Sequence, residues 1–311
     1  MNVLGIVGQT AHCLTSFFFV SNETKGDVLI KPVQFITKVL TVIGLLAFAE
    51  AGTTNNDCDG IILRGKYHEK EVLADNLDRP YLLIVDFHKN VLYFSYSASP
   101  EDDKFISCYL DLNTKELGNI TQVDNGFAQA VDQDRHEVYI GGSDGIFKFF
   151  YNNKTVERAG AEGVNIWSMF YKDQLYYTSF PQQFIYTLKN GEAAEVEYMK
   201  GHKADFFVID KDDYTLFKNE SGLYGKAKGS EDEDVYDEDI IVRALITDLN
   251  GLPYVCGVNG VYFLNKDDKI LEKIGDLDEC FGLAFDKDNN MIYSDPIQVV
   301  RLKLRAGNEC S

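Results

Sequence analysis

Short runs of β-branched and aromatic residues alternate along this chain with clusters of Gly, Asn, Asp and Ser, and the alternation is itself periodic. Asn125 to Phe150 (NGFAQAVDQDRHEVYIGGSDGIFKFF) shows one unit. The run Ala128 to Val131 ends in Asp132, a polar turn leads to Val138-Tyr139-Ile140, and a Gly/Ser/Asp corner feeds Gly145-Ile146-Phe147. Apolar β-formers bounded by turn residues predict three short strands, not a helix. The aromatic anchor of the second strand recurs at Tyr93 (VLYFS), Tyr139 (EVYIG), Tyr176 (QLYYT), Phe217 (TLFKN), Tyr254 (LPYVC) and Tyr293 (MIYSD), at spacings of 46, 37, 41, 37 and 39 residues. The third-strand signal recurs at Gly145-Ile146-Phe147, Gly222-Leu223-Tyr224, Gly260-Val261-Tyr262 and, without the glycine, Phe184-Ile185-Tyr186. Six copies at this period, each too small to bury both of its faces alone, predict an all-β chain folded as a six-bladed β-propeller.

Blade one runs from Arg79 and carries an insertion, Ser97 to Lys104, that lengthens its spacing. Blade three has a tighter first turn (YKDQ), which leaves its register open by one residue. The acidic stretch Glu231 to Asp239 after blade four has no periodicity and reads as a solvated loop. Glu71 to Leu77 matches the segment Ile270 to Leu277 that precedes the sixth inner strand, so it is expected to be an outer strand donated to the last blade. How many strands each end supplies stays open.

Residues 1 to 51 hold three basic and three acidic side chains, so the net charge of −19 belongs to the remainder. Such a surface repels phosphate, which disfavours nucleic acid and anionic membranes as partners; a monomer is the expected state. Lys38, the apolar run Val39 to Phe48 and Ala49-Glu50-Ala51 have the parts of a secretory signal, and about ten apolar residues are too few to span a bilayer. Residues 1–51 are therefore read as an upstream gene-model extension plus a removed signal, and 52–311 as one secreted propeller domain. Asn119, Asn153 and Asn219 head sequons and are candidate glycan acceptors. Cys58, Cys108, Cys256, Cys280 and Cys310 follow the cleavage point, and five thiols in an oxidising compartment suit two disulfides and one free cysteine. A propeller brings its ends together in one blade, which makes Cys58–Cys310 the first choice of pair and Cys256–Cys280 the second. With no C-x-x-C or Cys/His cluster, zinc is not expected.

The segments CDGI (Cys58 to Ile61), YHEKEVL (Tyr67 to Leu73), DRPYLL (Asp78 to Leu83), NGFAQAVD (Asn125 to Asp132) and YIGGSDGI (Tyr139 to Ile146) resemble the insect ommochrome-binding proteins. These are secreted haemolymph proteins of moths and butterflies. The resemblance spans the mature chain and implies non-covalent carriage of ommochromes, the tryptophan-derived phenoxazinone pigments such as xanthommatin, with no other cofactor. No motif of that family identifies its binding residues.

The chain's own repeat supplies candidates. Five residues before the aspartate that ends each inner strand stand Tyr81, Phe127, Asp205, Arg243 and Phe281, with Ile166 or Trp167 in blade three. Two positions earlier stand Arg79, Asn125, Lys203 and Glu279, and Asn165 if Trp167 keeps the register. All lie near the entry of inner strands, around the axial opening where closed β architectures place ligands. Flat aromatics mixed with cations suit a planar carboxylated dye.

Each candidate has a plainer reading. Aromatics at strand starts also serve as wedges between blades, Arg243 could pair with Asp205, and Arg79, before Pro80, could be a corner residue. Two other function classes share the architecture. Calcium-dependent lactonases hold an axial metal on oxygen ligands, a set that Asn125, Asn165, Asp205 and Glu279 could imitate. Yet Asp205 is offset, His136 falls in a turn, and only His202 is near enough to serve as base. The expectation is no catalysis and no metal. The DKDNN, DKDD and NKDDK phrases look like calcium loops but lack the EF-hand glycine and glutamate, and read as solvated tips between first and second strands. The third class is a protein-interaction scaffold, because fold alone does not fix function.

Overall fold

A computed structural model of the chain describes residues 59–99 and 102–305, within the compact unit Thr54–Ser311. The described chain opens with β1 (Gly60–Leu63) and β2 (Lys66–Ala74). Blade one follows as β3 (Tyr81–Asp86), β4 (Val91–Ser99), β5 (Asp102–Asp111) and β6 (Leu117–Ile120), and blade two as β7 (Ala128–Asp132), β8 (Glu137–Gly142), β9 (Gly145–Phe150) and β10 (Thr155–Gly160). Blade three is β11 (Ile166–Tyr171), β12 (Leu175–Ser179), β13 (Ile185–Lys189) and β14 (Glu192–Glu195); blade four is β15 (Phe206–Ile209), β16 (Tyr214–Asn219), β17 (Gly222–Ala227) and β18 (Asp234–Asp237). Blade five is β19 (Val242–Thr247), β20 (Pro253–Gly257), β21 (Gly260–Asn265) and β22 (Ile270–Gly275), and β23 (Gly282–Phe285), β24 (Met291–Ser294) and β25 (Val299–Leu304) begin blade six.

Each blade is an antiparallel meander, and the inner strands β3, β7, β11, β15, β19 and β23 touch one another in a closed ring. The six-bladed propeller read from the repeat is the fold. Blade six is completed from the other end of the chain: β2 pairs with β25, and β1 adds a fifth strand outside it. The expected donated strand is thus present, with two strands from the start of the described chain and three from its end.

The recurring aromatic anchors are the wedges between blades. Tyr93, Tyr176, Phe217, Tyr254 and Tyr293 are buried, and Tyr93 packs with Val131, Val138 and Phe149 of the next blade. The recurring third-strand glycine has a separate cause. Gly145, Gly222 and Gly260 hold φ values of +113°, +151° and +150°, and a Cβ on any of them would collide with a carbonyl oxygen of the neighbouring outer segment. Only glycine fits both conditions.

At the opposite end of the inner strands, the recurring aspartates cap the first turn of five blades. The Asp86, Asp132, Asp210, Asp248 and Asp286 Oδ1 atoms each accept two backbone N–H groups. They are buried, so the DKDNN and DKDD phrases are not wholly solvated tips: the first aspartate of each is the internal cap. NKDDK joins β21 to β22, third strand to fourth, which corrects its assignment to a first turn. The acidic stretch also differs from expectation, because Asp234–Asp237 forms β18. An outermost strand has one pairing partner and little buried face, so its residues need no apolar alternation. Tyr214 and Lys269 hold Asp234, at 2.8 and 2.6 Å.

Cys256 and Cys280 form a disulfide across blades five and six, and Cys108 is a buried free thiol. The Cys58–Cys310 pair lies outside the described residues, as do residues 1–51.

Candidate functional site

The starts of the inner strands gather on one face of the ring. Tyr81 opens β3, Phe127 and Phe281 immediately precede β7 and β23, and Trp167 and Arg243 are the second residues of β11 and β19. The last two sit where the pairing register slips, between Ile166 and Ser168 and between Val242 and Ala244. An extra residue in one strand re-aims its side chain, and here it carries an indole and a guanidinium. The open register of blade three is resolved by this slip: Ile166 goes into the core and Trp167 to the mouth.

The rings form a continuous arc over four blades. Phe281 meets Tyr81 at 5.3 Å between centroids, Tyr81 meets Phe127 at 5.8 Å, and Phe127 meets Trp167 at 4.8 Å. Two members escaped the repeat-based reading. Phe105 packs on Phe127 at 4.4 Å, and Phe180, 49% exposed, lies 5.7 Å from Trp167. Phe105 is near the start of β5, just after the insertion in blade one, and Phe180 is in the connection between β12 and β13; an apolar residue beside each of these polar stretches was the available signal.

The Arg243 guanidinium lies over the Phe281 ring, 5.1 Å from its centroid. No ion pair joins it to Asp205, and among the described residues no carboxylate pairs with it. Asp205 is instead hydrogen-bonded by Gln183 Nε2; burial raises its carboxyl pKa, against the pull of Lys218. Burial likewise pushes the Tyr81 hydroxyl up, opposed by Arg79 and Arg243, so the phenol stays a donor at neutral pH.

The residues two positions earlier play other parts. Arg79 has a φ of +49° and its Nε meets Asp78 at 2.9 Å, which makes it a corner as well as a cation near Tyr81. Asn125, also at +49°, accepts the Phe105 N–H at 2.8 Å and so positions that ring through its backbone. Glu279 repeats the left-handed corner at +55°, and Lys203 bridges to Phe184 through its backbone. Asn165 lines a cleft between blades two and three, of about 570 Å³, whose wall includes Tyr177, Phe180 and Tyr186. His202 Nε2 contacts Glu233, and His136 stacks on His88 at 3.9 Å, at the far ends of the inner strands. Among the described residues no three His, Cys, Asp or Glu side chains converge as a metal site.

Size decides where a ligand can lie. Below the arc, side chains such as Leu82, Phe206, Leu245 and Leu283 close the axis to a cavity of about 50 Å³. Pockets for organic ligands run to roughly 300–1,000 Å³. A planar ligand therefore has no room in the channel, whereas the arc and the cleft beside Phe180 together offer a face and a volume of the right order.

No family model matches the chain. Solved structures of similar fold include a putative gluconolactonase (TM-score 0.60, 10% identity, covering 76% of this chain and 92% of that one). A gluconolactonase from Xanthomonas campestris gives a TM-score of 0.60 at 12% identity, over 80% and 96% of the two chains. A regucalcin from Agrobacterium tumefaciens, described as a calcium-binding protein, gives 0.58 at 12%, over 76% and 96%. At such identities the likeness is one of fold alone. The sequence relative is different in kind: the ommochrome-binding protein of Manduca sexta is 33% identical over 252 residues, 78% of this chain and 90% of the relative. The chain belongs to the ommochrome-binding protein family.

Proposed function

We propose that this chain is a secreted, monomeric carrier that binds an ommochrome without covalent attachment and without turning it over, stacked on the aromatic arc at the propeller mouth. The observation that carries the reading is the arc from Phe281 to Phe180 with Arg243 above one end and no carboxylate paired to it among the described residues. A fused planar ring gains from offset and edge contacts with several aromatics, and a pigment carboxylate gains a charge-assisted contact with the guanidinium. The name of the Manduca sexta relative supports the same ligand class. Secretion rests on the signal-like segment before Gly52 and the sequons, of which Asn119 and Asn153 are exposed.

Titration with xanthommatin tests the site. Trp167→Ala should weaken binding about tenfold or more, from lost stacking of about 0.5–1.5 kcal/mol plus lost apolar burial at about 25 cal/mol per Å². Arg243→Met should weaken a carboxylated pigment more than an uncharged analogue. Unchanged affinity in both variants would remove the mouth as the site, and calcium-dependent turnover of lactones or aryl esters would replace the carrier by a hydrolase.

A further inference from the structure

The face where the inner strands end carries a second cleft, of about 460 Å³, between blades five and six. Its position is fixed by the β1–β2 hairpin turn on one side and by the Asp288–Asn290 turn between β23 and β24 on the other. It is therefore on the opposite side of the ring from the aromatic arc. The floor is apolar and buried: Tyr254, Phe285, Met291 and Leu302 all line it, and the Tyr254 and Phe285 rings pack at 4.9 Å.

The rim is cationic. Arg64, Lys66 and His68 line it, and Asp288 is the one carboxylate among the described residues that do. In a chain with 49 acidic against 30 basic residues, cations are easily neutralised. Yet among the described residues neither the Arg64 guanidinium nor the Lys66 ammonium has an ion pair. Arg64 lies over the Phe263 ring at 4.4 Å and 5.9 Å from that of Tyr254, so it is held over the apolar floor.

The hairpin makes this arginine costly. Arg64 and Gly65 hold φ values of +48° and +72° in a two-residue turn, whose first position favours Asn, Asp or Gly. Turn geometry gives no reason for arginine at that place.

We infer that this cleft is a second ligand site, for a small aromatic monocarboxylate whose ring lies on Tyr254, Phe285 and Met291 and whose carboxylate meets Arg64 and Lys66. Its volume falls within the range of organic-ligand pockets. The apolar floor with a few convergent polar groups on the rim is the arrangement that both desolvates a ring and orients a charge. The site is independent of the mouth, and its occupant needs no phenoxazinone.

The test uses 1-naphthoate and its neutral counterpart 1-naphthylmethanol, titrated by calorimetry into the full mature chain. Arg64→Asn with Lys66→Gln is the informative variant, because Asn-Gly is a preferred pair for the turn and the hairpin should form at least as well. Wild type should prefer naphthoate, and the double variant should lose about tenfold in naphthoate affinity and lose that preference, with an unchanged melting temperature. Trp167→Ala should keep the naphthoate site of wild type. Absence of naphthoate binding, equal binding of the two probes, insensitivity to the double variant, or loss that follows Trp167→Ala would each overturn the proposal.

Discussion

Trp167 combines stacking with a donor that has no partner inside the protein. Its ring continues the arc between Phe127 and Phe180, while its buried indole Nε1–H finds no acceptor among the described residues. A desolvated donor without a partner costs stability, so a ligand acceptor that reaches it recovers more than a solvated contact would. Trp167→Phe separates the two contributions, because it keeps a ring and removes the N–H. Pigment affinity should fall between wild type and Trp167→Ala, by the several-fold that one neutral hydrogen bond of about 0.5–1.5 kcal/mol represents. Affinity equal to wild type, measured by absorbance titration, would show that the N–H is idle. The same residue marks the limit of what the sequence disclosed. Counting back from a capping aspartate gives a single position in the five blades that have one, whereas blade three has Tyr171 and a shorter turn, and only the register slip decides between Ile166 and Trp167.

β2 closes the ring, and a single carboxylate fastens it. Glu71 meets Arg301 at 2.7 Å and Lys303 at 2.9 Å on β25, and Lys115 of blade one at 2.8 Å, while Arg301 also reaches Asp286 at 3.2 Å. Burial opposes ionisation of Glu71, but the hydrogen bonds from Lys115, Lys303 and Arg301 outweigh it and lower its pKa from 4.5 to about 2. A pKa depressed in the folded state stabilises the fold above the unfolded value, and that contribution is lost as pH falls from about 4.5 through about 2. Glu71→Gln should therefore cost about 1.5–3 kcal/mol at neutral pH. The deficit relative to wild type should shrink across that acid window in denaturant titrations; a deficit that stays constant down to pH 2 would place the effect elsewhere than in the charge. This strand was legible because its apolar and charged order repeats a segment before another blade. β18 was not, since its Asp-Val-Tyr-Asp sits within an acidic run that reads as a loop, and an outer strand held by Tyr214 and Lys269 tolerates that setting.

At the scale of the whole ring, the mouth exists only when the chain closes, because its residues run from Tyr81 to Phe281 and meet nowhere else. Period and strand chemistry disclosed this closure; which third strands and loops reach the mouth depended on blade geometry, and so Phe105 of β5 and Phe180 appeared only in three dimensions. Cys256–Cys280 holds the junction of blades five and six, over a sequence separation of 24 residues. On the chain-entropy account such a loop contributes about 3–4 kcal/mol, through restriction of the unfolded chain. Cys280 is followed directly by Phe281, so the bridge also fixes one end of the aromatic arc, beneath Arg243. Cys108 offers no exchange partner: its thiol is buried, burial pushes its pKa well up, and Sγ donates to the Phe94 carbonyl at 3.3 Å. The double variant Cys256→Ala/Cys280→Ala should lower the melting temperature by on the order of ten degrees, at roughly 2–4 °C per kcal/mol for a domain near this size. Its pigment affinity should fall a few-fold, while the preference for a carboxylated over an uncharged pigment persists, since Arg243 remains. A melting temperature within about two degrees of wild type would show that strand pairing alone holds the junction, and loss of the carboxylate preference would mean that Arg243 depends on the bridge for its place.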